Sequence, residues 1–442
     1  MMVQEDRVTG EPGHLTVRSS VVERCRGTGL MCLGADLDVE AVLVRDTLPD
    51  LDGDGGGVGI GVDHDPSGVA RATLRVASSE ILRSVGYGLV VHGGEASIEA
   101  TSVRDVAAHP VEADRGWGIA LLEHQLLGLS VAATVTRSLI DGAHGAGFYA
   151  MGGSLTVEQS IVRDTQLTPD GAHGRGLELN TSPTGLPDSQ ATVRSCLISD
   201  NHEAGMMATG LELTVESTAI RKTLTNATEG AGYGLVVEND TVANARADLQ
   251  VRWCAIESNV GAGLVVVGSN ALIESTLVND TRLRPSGTAG VGIAVQLSRE
   301  VGVETVATNR NCLVLDSHET GIFPDGSQVT IESTEVVGTM PDDDGRYGDC
   351  VGVRAFPGFQ PITAIRNSNF RGCSRSGIAT FGAPVELSEV TLDCNPIHLN
   401  GEPRNELDFS VADLGGNWCG CDEETDQCRV LSAGLEAPEP VY

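Results

Sequence analysis

The pentapeptide Asp-Gly-Ala-His-Gly occurs twice, at residues 141–145 and 170–174. It places Asp141 and His144, then Asp170 and His173, at matching positions 29 residues apart. A third histidine, His202, follows at the same interval, with Asp200 and Glu203 close by. Imidazoles brought together at this spacing can converge on a metal, with carboxylates completing the shell. The same groups can serve as general acid and base. The alternative is a histidine ladder that a repeat simply copies. The candidate catalytic set is therefore His144, His173, His202, Asp141 and Asp170. Tyr149 and Glu178, each two residues beyond a glycine, are expected to share that surface.

A second candidate is Asp50, Asp52 and Asp54 followed by Gly55, the opening half of a D-x-D-x-D-G calcium loop. The twelfth position holds Gly61 in place of the usual Glu, and no helical pattern flanks it. Two readings stay open, a solvated acidic loop and a weak calcium site. A third is Gly-Tyr-Gly-Leu-Val-Val, at 86–91 and again at 232–237. Gly-x-Gly can cradle phosphate, but neither copy continues as Gly-x-Gly-x-x-Gly into a helical pattern.

The elements that must position these residues emerge from the same glycines. Gly88 and Gly234 belong to a series of thirteen, at 29, 59, 88, 118, 147, 176, 205, 234, 263, 292, 321, 352 and 377, each followed by an apolar residue. A nucleotide loop is not copied thirteen times. The glycines are expected to mark corners. Between them, segments such as Leu-Thr-Val-Glu-Gln-Ser-Ile-Val alternate apolar and polar residues, the mark of strands. Coils of 22 residues alternate with coils of about 36, a two-coil unit near 58. Gly-rich coils of this length without helical stretches predict an all-β fold, a right-handed parallel β-helix of about 14 coils.

On this pattern, residues 15–400 resemble the right-handed parallel β-helix superfamily typified by pectate lyases and polygalacturonases. The resemblance implies a fold, not an activity. The N-T-D, G-H-G and R-I-K motifs of the polygalacturonase-like members are absent, and the D-D pair falls in a turn, Met-Pro-Asp-Asp-Asp-Gly. Stacking aromatics for a long sugar groove are also few, with only three tryptophans.

The residue after each patterned Val or Ile alternates in charge without a break from Glu158 to Arg366, which predicts an ion-pair ladder between coils. A second ladder carries Ser, Thr or Cys, with Cys196, Cys254 and Cys312 expected to be free thiols. Cys373 and Cys394 fall on consecutive coils within one residue of equivalence, so a disulfide between them is expected. Cys419, Cys421 and Cys428 mark a C-terminal cap. The organisation expected is a leader at 1–14, the β-helix at 15–400 and a cysteine-containing cap and tail at 401–442.

The formal net charge of −32, with Lys222 the single lysine, argues against nucleic acid and anionic membranes as partners. No apolar run is long enough to span a bilayer. Eleven cysteines point to an oxidising compartment, although residues 1–13 lack the pattern of a signal peptide. The reading is a non-enzymatic secreted or cell-surface rod, a structural or binding module and part of a longer protein, with a polysaccharide or surface protein as partner. The runner-up is a carbohydrate-active enzyme, a polysaccharide lyase or glycoside hydrolase, acting at the stacked histidines.

Overall fold

The computed structural model describes residues 1–6, 9, 12–51, 55–64, 72–111, 115–185, 189–228, 230–421 and 424–441. Among them every regular element is a strand, and the strands form three sheets with parallel pairing between coils. The chain divides into two compact units, unit 1 from Met1–Leu213 with Asn226–Thr228 and unit 2 from Thr214–Thr225 with Glu229–Tyr442. In each unit a coil contributes a six-residue strand to the first sheet, mostly five to the second and three to the third.

Strands of the second sheet begin at His14, Asp36, Thr73, Glu95 and Ala132 in unit 1, so steps of 22 and 37 residues alternate. The core is a thin column of aliphatics. Leu30, Ile60, Leu89 and Ile119 stack in unit 1, and Leu264, Ile293 and Ile322 in unit 2, all with no exposed surface. Each such side chain contributes about 1.5–3 kcal/mol through burial. Parallel pairing also takes in Met2–Gln4 at one end and Ser410–Asp413, Trp418–Cys421 and Val430–Leu431 at the other, so the sheets extend past residues 15 and 400.

The glycine series does not mark corners. Each glycine is the second residue of a six-residue strand in most coils, and its partner across the interface is the next coil's backbone. A Cβ on Gly88 would lie 2.5 Å from Gly118 O and 2.4 Å from Val103 Cγ1; one on Gly234 would lie 2.5 Å from Gly263 O. Glycine is required there by close approach. The corner between second and third sheets is instead a single non-glycine residue in the left-handed region, such as Ser78, Ala100, Arg137 and Gln159, with φ of 47–49°.

Such residues cost about 1–2 kcal/mol each, and the Ser/Thr/Cys ladder answers that cost. Ser79 Oγ donates to Ala77 O at 2.8 Å and accepts the Val42 N–H at 3.1 Å. Ser138 Oγ repeats this with Thr136 O and the Thr101 N–H. In unit 2, Cys254 and Cys312 thiols point at Arg252 O and Arg310 O, at 3.2 and 3.4 Å. Neither forms a disulfide, nor does Cys196 in unit 1.

The disulfides correct the sequence expectation. Cys373 pairs with Cys350, Cys394 with Cys421 and Cys419 with Cys428. Arg371 is in register with Asp393, which sets Cys373 opposite Asn395 and not opposite Cys394. A one-residue offset turns a strand side chain to the other face. Cys373 therefore faces the interior, its N–H bonded to Asn395 Oδ1 at 2.9 Å, while Cys394 turns outward toward Cys421 on the next coil.

In unit 2, residues 432–441 lie on the outer face of the first sheet. Gly434 and Leu435 donate backbone N–H groups to Glu402, at 2.8 and 3.2 Å. Arg375, Arg354 and Arg284 donate in turn to the carbonyls of Glu436, Pro438 and Val441, at 2.9, 2.6 and 2.9 Å. Ala437 packs on Ala379 and Phe381. Beneath this segment, strands such as Val291–Gln296, Thr320–Asp325 and Asp349–Arg354 are buried at all six positions.

Candidate ligand-binding face

The five histidine and aspartate residues singled out by the repeat do not gather at one point. Asp141 ends a third-sheet strand and accepts from Arg163 Nη2 at 3.0 Å, with Arg104 Nε at 3.6 Å. It lies beside Asp164, whose carboxyl is pushed up by burial and then by Asp141 and Asp200. Asp170 accepts from the Thr168 hydroxyl and the Ala172 N–H, and these bonds hold its carboxyl below the usual range.

His144 and His202 share one arrangement. The Nδ1 of each donates to a carbonyl of the preceding coil, Val106 O at 3.1 Å and Thr165 O at 2.9 Å. On the intervening coil Gly174 bonds to Gly145 O, and its added Cβ would meet His202 Cβ at 2.7 Å, while His173 adopts φ 58°. The long coil thus places a glycine against His202 where simple counting places His173. Among the described residues, the one set of three His, Cys, Asp or Glu ligand atoms all within 4.8 Å is Asp393, Cys394 and Cys421, and both cysteines there are disulfide-bonded. Asp50 is exposed, with its carboxylate over Gly27. Asp52 and Asp54 lie outside the described residues.

The convergence that the fold does produce lies on the outer face of the first sheet in unit 1. Strands Tyr87–His92, Trp117–Leu122, Ala146–Met151 and Arg175–Asn180 run side by side. Tyr87 is in register with Trp117, and the rings meet edge-on at 5.5 Å. Trp117 stacks on Tyr149 at 3.9 Å with planes 9° apart. Tyr149 is in register with Glu178, as its spacing suggested. Arg175 Nη1 holds Glu178 Oε1 at 2.9 Å, and its Nε holds Glu203 Oε1 at 2.9 Å. Arg115 stands over the Tyr87 ring at 5.9 Å. All three aromatic rings are half-buried. The sequence signal was available, because Tyr87 and Trp117 each immediately precede a glycine of the series.

At the far end of the same strands is a second group. Asp63 ends the strand Val58–Asp63, and His92 ends its neighbour. His92 Nδ1 is 3.4 Å from Asp63 Oδ1, and His124 Nε2 approaches the same oxygen at 4.0 Å. The His92 and His124 rings are 4.9 Å apart, and His64 meets His124 edge-on at 6.1 Å. Asp63 and His92 are 29 residues apart, the step of the repeat, but His124 follows after 32, in the turn beyond the strand Trp117–Leu122, so spacing did not bring the three together.

A separate groove of about 650 Å³ runs along the corner of the second and third sheets in unit 1, past Ser79, Thr101 and Ser138. Those hydroxyls are already committed to the corner bonds described above.

The family described as right-handed beta helix region matches residues 117–305. Among curated proteins, no sequence matches this chain. Among solved structures, the periplasmic alginate epimerase AlgG is 11% identical, with 92% of this chain and 87% of that one covered and a TM-score of 0.43. The Azotobacter vinelandii mannuronan C-5 epimerase AlgE4 A-module is 12% identical over 92% and 91%, with a TM-score of 0.43. The catalytic unit of the GH87 alpha-1,3-glucanase from Streptomyces thermodiastaticus is 13% identical over 99% and 65%, with a TM-score of 0.40. Likeness at this level leaves ligand and activity to be argued from the site. The three sheets of parallel strands and the alternating coils make the chain an all-β parallel β-helix of many coils, and residues 117–305 within it match the right-handed beta helix family.

Proposed function

We propose that this protein is a non-enzymatic binding module that presents the outer face of its first sheet in unit 1 to a polysaccharide outside the cytoplasm. The observation that carries this is the aromatic row Tyr87, Trp117 and Tyr149, flanked by Arg175, Glu178 and Glu203. Sugar rings offer C–H faces that pack on aromatic rings, and hydroxyls that bond to carboxylates and guanidinium groups. Glu178 and Glu203 are both held by Arg175, an arrangement suited to fixed hydrogen bonding more than to proton transfer. A net charge of −32 disfavours polyanions, so the ligand is a neutral glycan. Three disulfides favour an oxidising compartment.

The test is affinity electrophoresis or calorimetry on a panel of neutral and acidic polysaccharides, with Trp117→Ala and Tyr149→Ala as variants. Binding to a neutral polymer is expected, weakened at least tenfold by Trp117→Ala. Full affinity in both variants, or no retention on any neutral polymer, rejects the proposal.

A further inference from the structure

We propose that Asp63, His92 and His124 form a binding site for a divalent cation of the zinc class on unit 1. The three side chains come from three consecutive coils, and two imidazole nitrogens approach one carboxylate oxygen, at 3.4 and 4.0 Å. Metal–ligand bonds of about 2.0–2.2 Å in a tetrahedral site set neighbouring ligand atoms roughly 3.3–3.5 Å apart. The Asp63–His92 edge already has that length, and the Asp63–His124 edge is about half an ångström longer.

The His92–His124 edge is the open one, since the three ligand atoms do not all lie within 4.8 Å of one another. His92 can close it. Its side chain is 36% exposed, whereas His124 is 8% exposed and held by the backbone bridge to Leu129. The fourth position then faces solvent, as in zinc sites with three protein ligands.

Two further observations separate this group from a copied ladder. Asp63 is in register with Leu33, and His92 with Leu122, so the polar pair is bounded by leucines along the sheet. The turn position of His124 is taken by Asp240 and Ser298 in unit 2, so the imidazole is not a requirement of the turn. His124 also differs from His144 and His202. Their Nδ1 atoms are tied to backbone carbonyls, while the buried Nδ1 of His124 has no hydrogen-bond partner. Two neutral imidazoles and one carboxylate suit zinc better than calcium or magnesium, which take oxygen ligands.

The full chain, stripped with a chelator, is titrated with zinc chloride by calorimetry and with cobalt(II) by visible absorption. One ion per chain is expected, with the d–d bands of tetrahedral cobalt. Asp63→Asn and His92→Gln should each weaken zinc at least tenfold, whereas the double variant His144→Ala/His202→Ala and Trp117→Ala should stay within about twofold. His92 is at the surface, so His92→Gln tests the site without threatening the fold. Zinc should raise the melting temperature of the wild type and not of His92→Gln. Absence of saturable one-to-one binding, unchanged affinity in Asp63→Asn and His92→Gln, or loss in the His144/His202 variant overturns the proposal.

Discussion

The outer face of the first sheet is built alike in both units and ends up in opposite states. In unit 1, Tyr87–His92 and Arg175–Asn180 are half-buried at their first, fourth and sixth positions and buried at the others, and the half-buried side chains include Tyr87, His92, Arg175 and Glu178. In unit 2, Val291–Gln296 through Asp349–Arg354 are buried throughout, beneath residues 432–441. The tail is extended along the face, and three guanidinium groups hold its carbonyls. The lesson is that exposure of this face is set by what lies over it, and the composition follows. Val265, Ala294 and Phe323 stand under cover where Tyr149 and Glu178 stand half-open.

The comparison breaks most readily at the tail. Deleting residues 432–442 removes the burial of Ala437, Pro438 and Val441 along with the hydrogen bonds to Arg284, Arg354, Arg375 and Glu402. A loss of about 3–5 kcal/mol is expected. Urea unfolding should show it, together with new binding of a hydrophobic dye. An unchanged midpoint would mean that the tail rests on the face without stabilising it.

A smaller effect tests whether the interiors of the two units are alike. Burial pushes the Cys254 and Cys312 thiols to about 11 and raises Cys196 in unit 1 as well. A thiol that holds its proton more tightly when folded contributes stability in full below its unfolded value, near 8.5. That contribution is lost as pH rises toward 11. Between pH 8 and 10 each of Cys254 and Cys312 should cost about 1–2 kcal/mol. Cys254→Ser/Cys312→Ser should lose less over that range, and the substitution is mild because Ser79 and Ser138 fill this position elsewhere. Equal pH dependence in the variant and the wild type would count against the buried-thiol account.

The smallest effect belongs to the charge ladder, which is present in both units. Arg194 meets Glu158 at 3.0 Å in unit 1, and Arg310 meets Glu274 at 2.6 Å in unit 2. These side chains are 22–47% exposed. Glu158→Gln should cost less than about 1 kcal/mol, and that difference should vanish in high salt. A larger cost that persists in salt would make the ladder a structural necessity and not a register guide.

Much of the fold was legible because a repeat reports the same constraint many times. Glycine steps gave the coil lengths, and the Ser/Thr/Cys ladder marked the corner whose left-handed residue it braces. The meaning of the glycines was less legible. A glycine forced by a carbonyl of the next coil looks, in sequence, like one required by a turn. Cys373 and Cys394 differ by a single register position, and a single position decides which way each thiol points.

The site divided in the same way. Tyr149 and Glu178 sit in uniform strands, and counting residues paired them. His173 and His202 lie past turns of different length, and counting misplaced them relative to each other. Asp63 and His92 keep the 29-residue step of the repeat, but His124 follows after 32 residues, in a turn beyond its strand, and no periodic rule brings it to them.

What the sequence determined by itself is the parallel coil, its alternating lengths, its aliphatic core and its charge pattern. All of these depend on contacts repeated between equivalent residues at a constant spacing. Only the tertiary structure decided the disulfide pairs, the covered and open faces, and the imidazoles around Asp63. Each of these depends on side-chain direction at a turn or on a segment that crosses several coils, and neither recurs with the period of the chain.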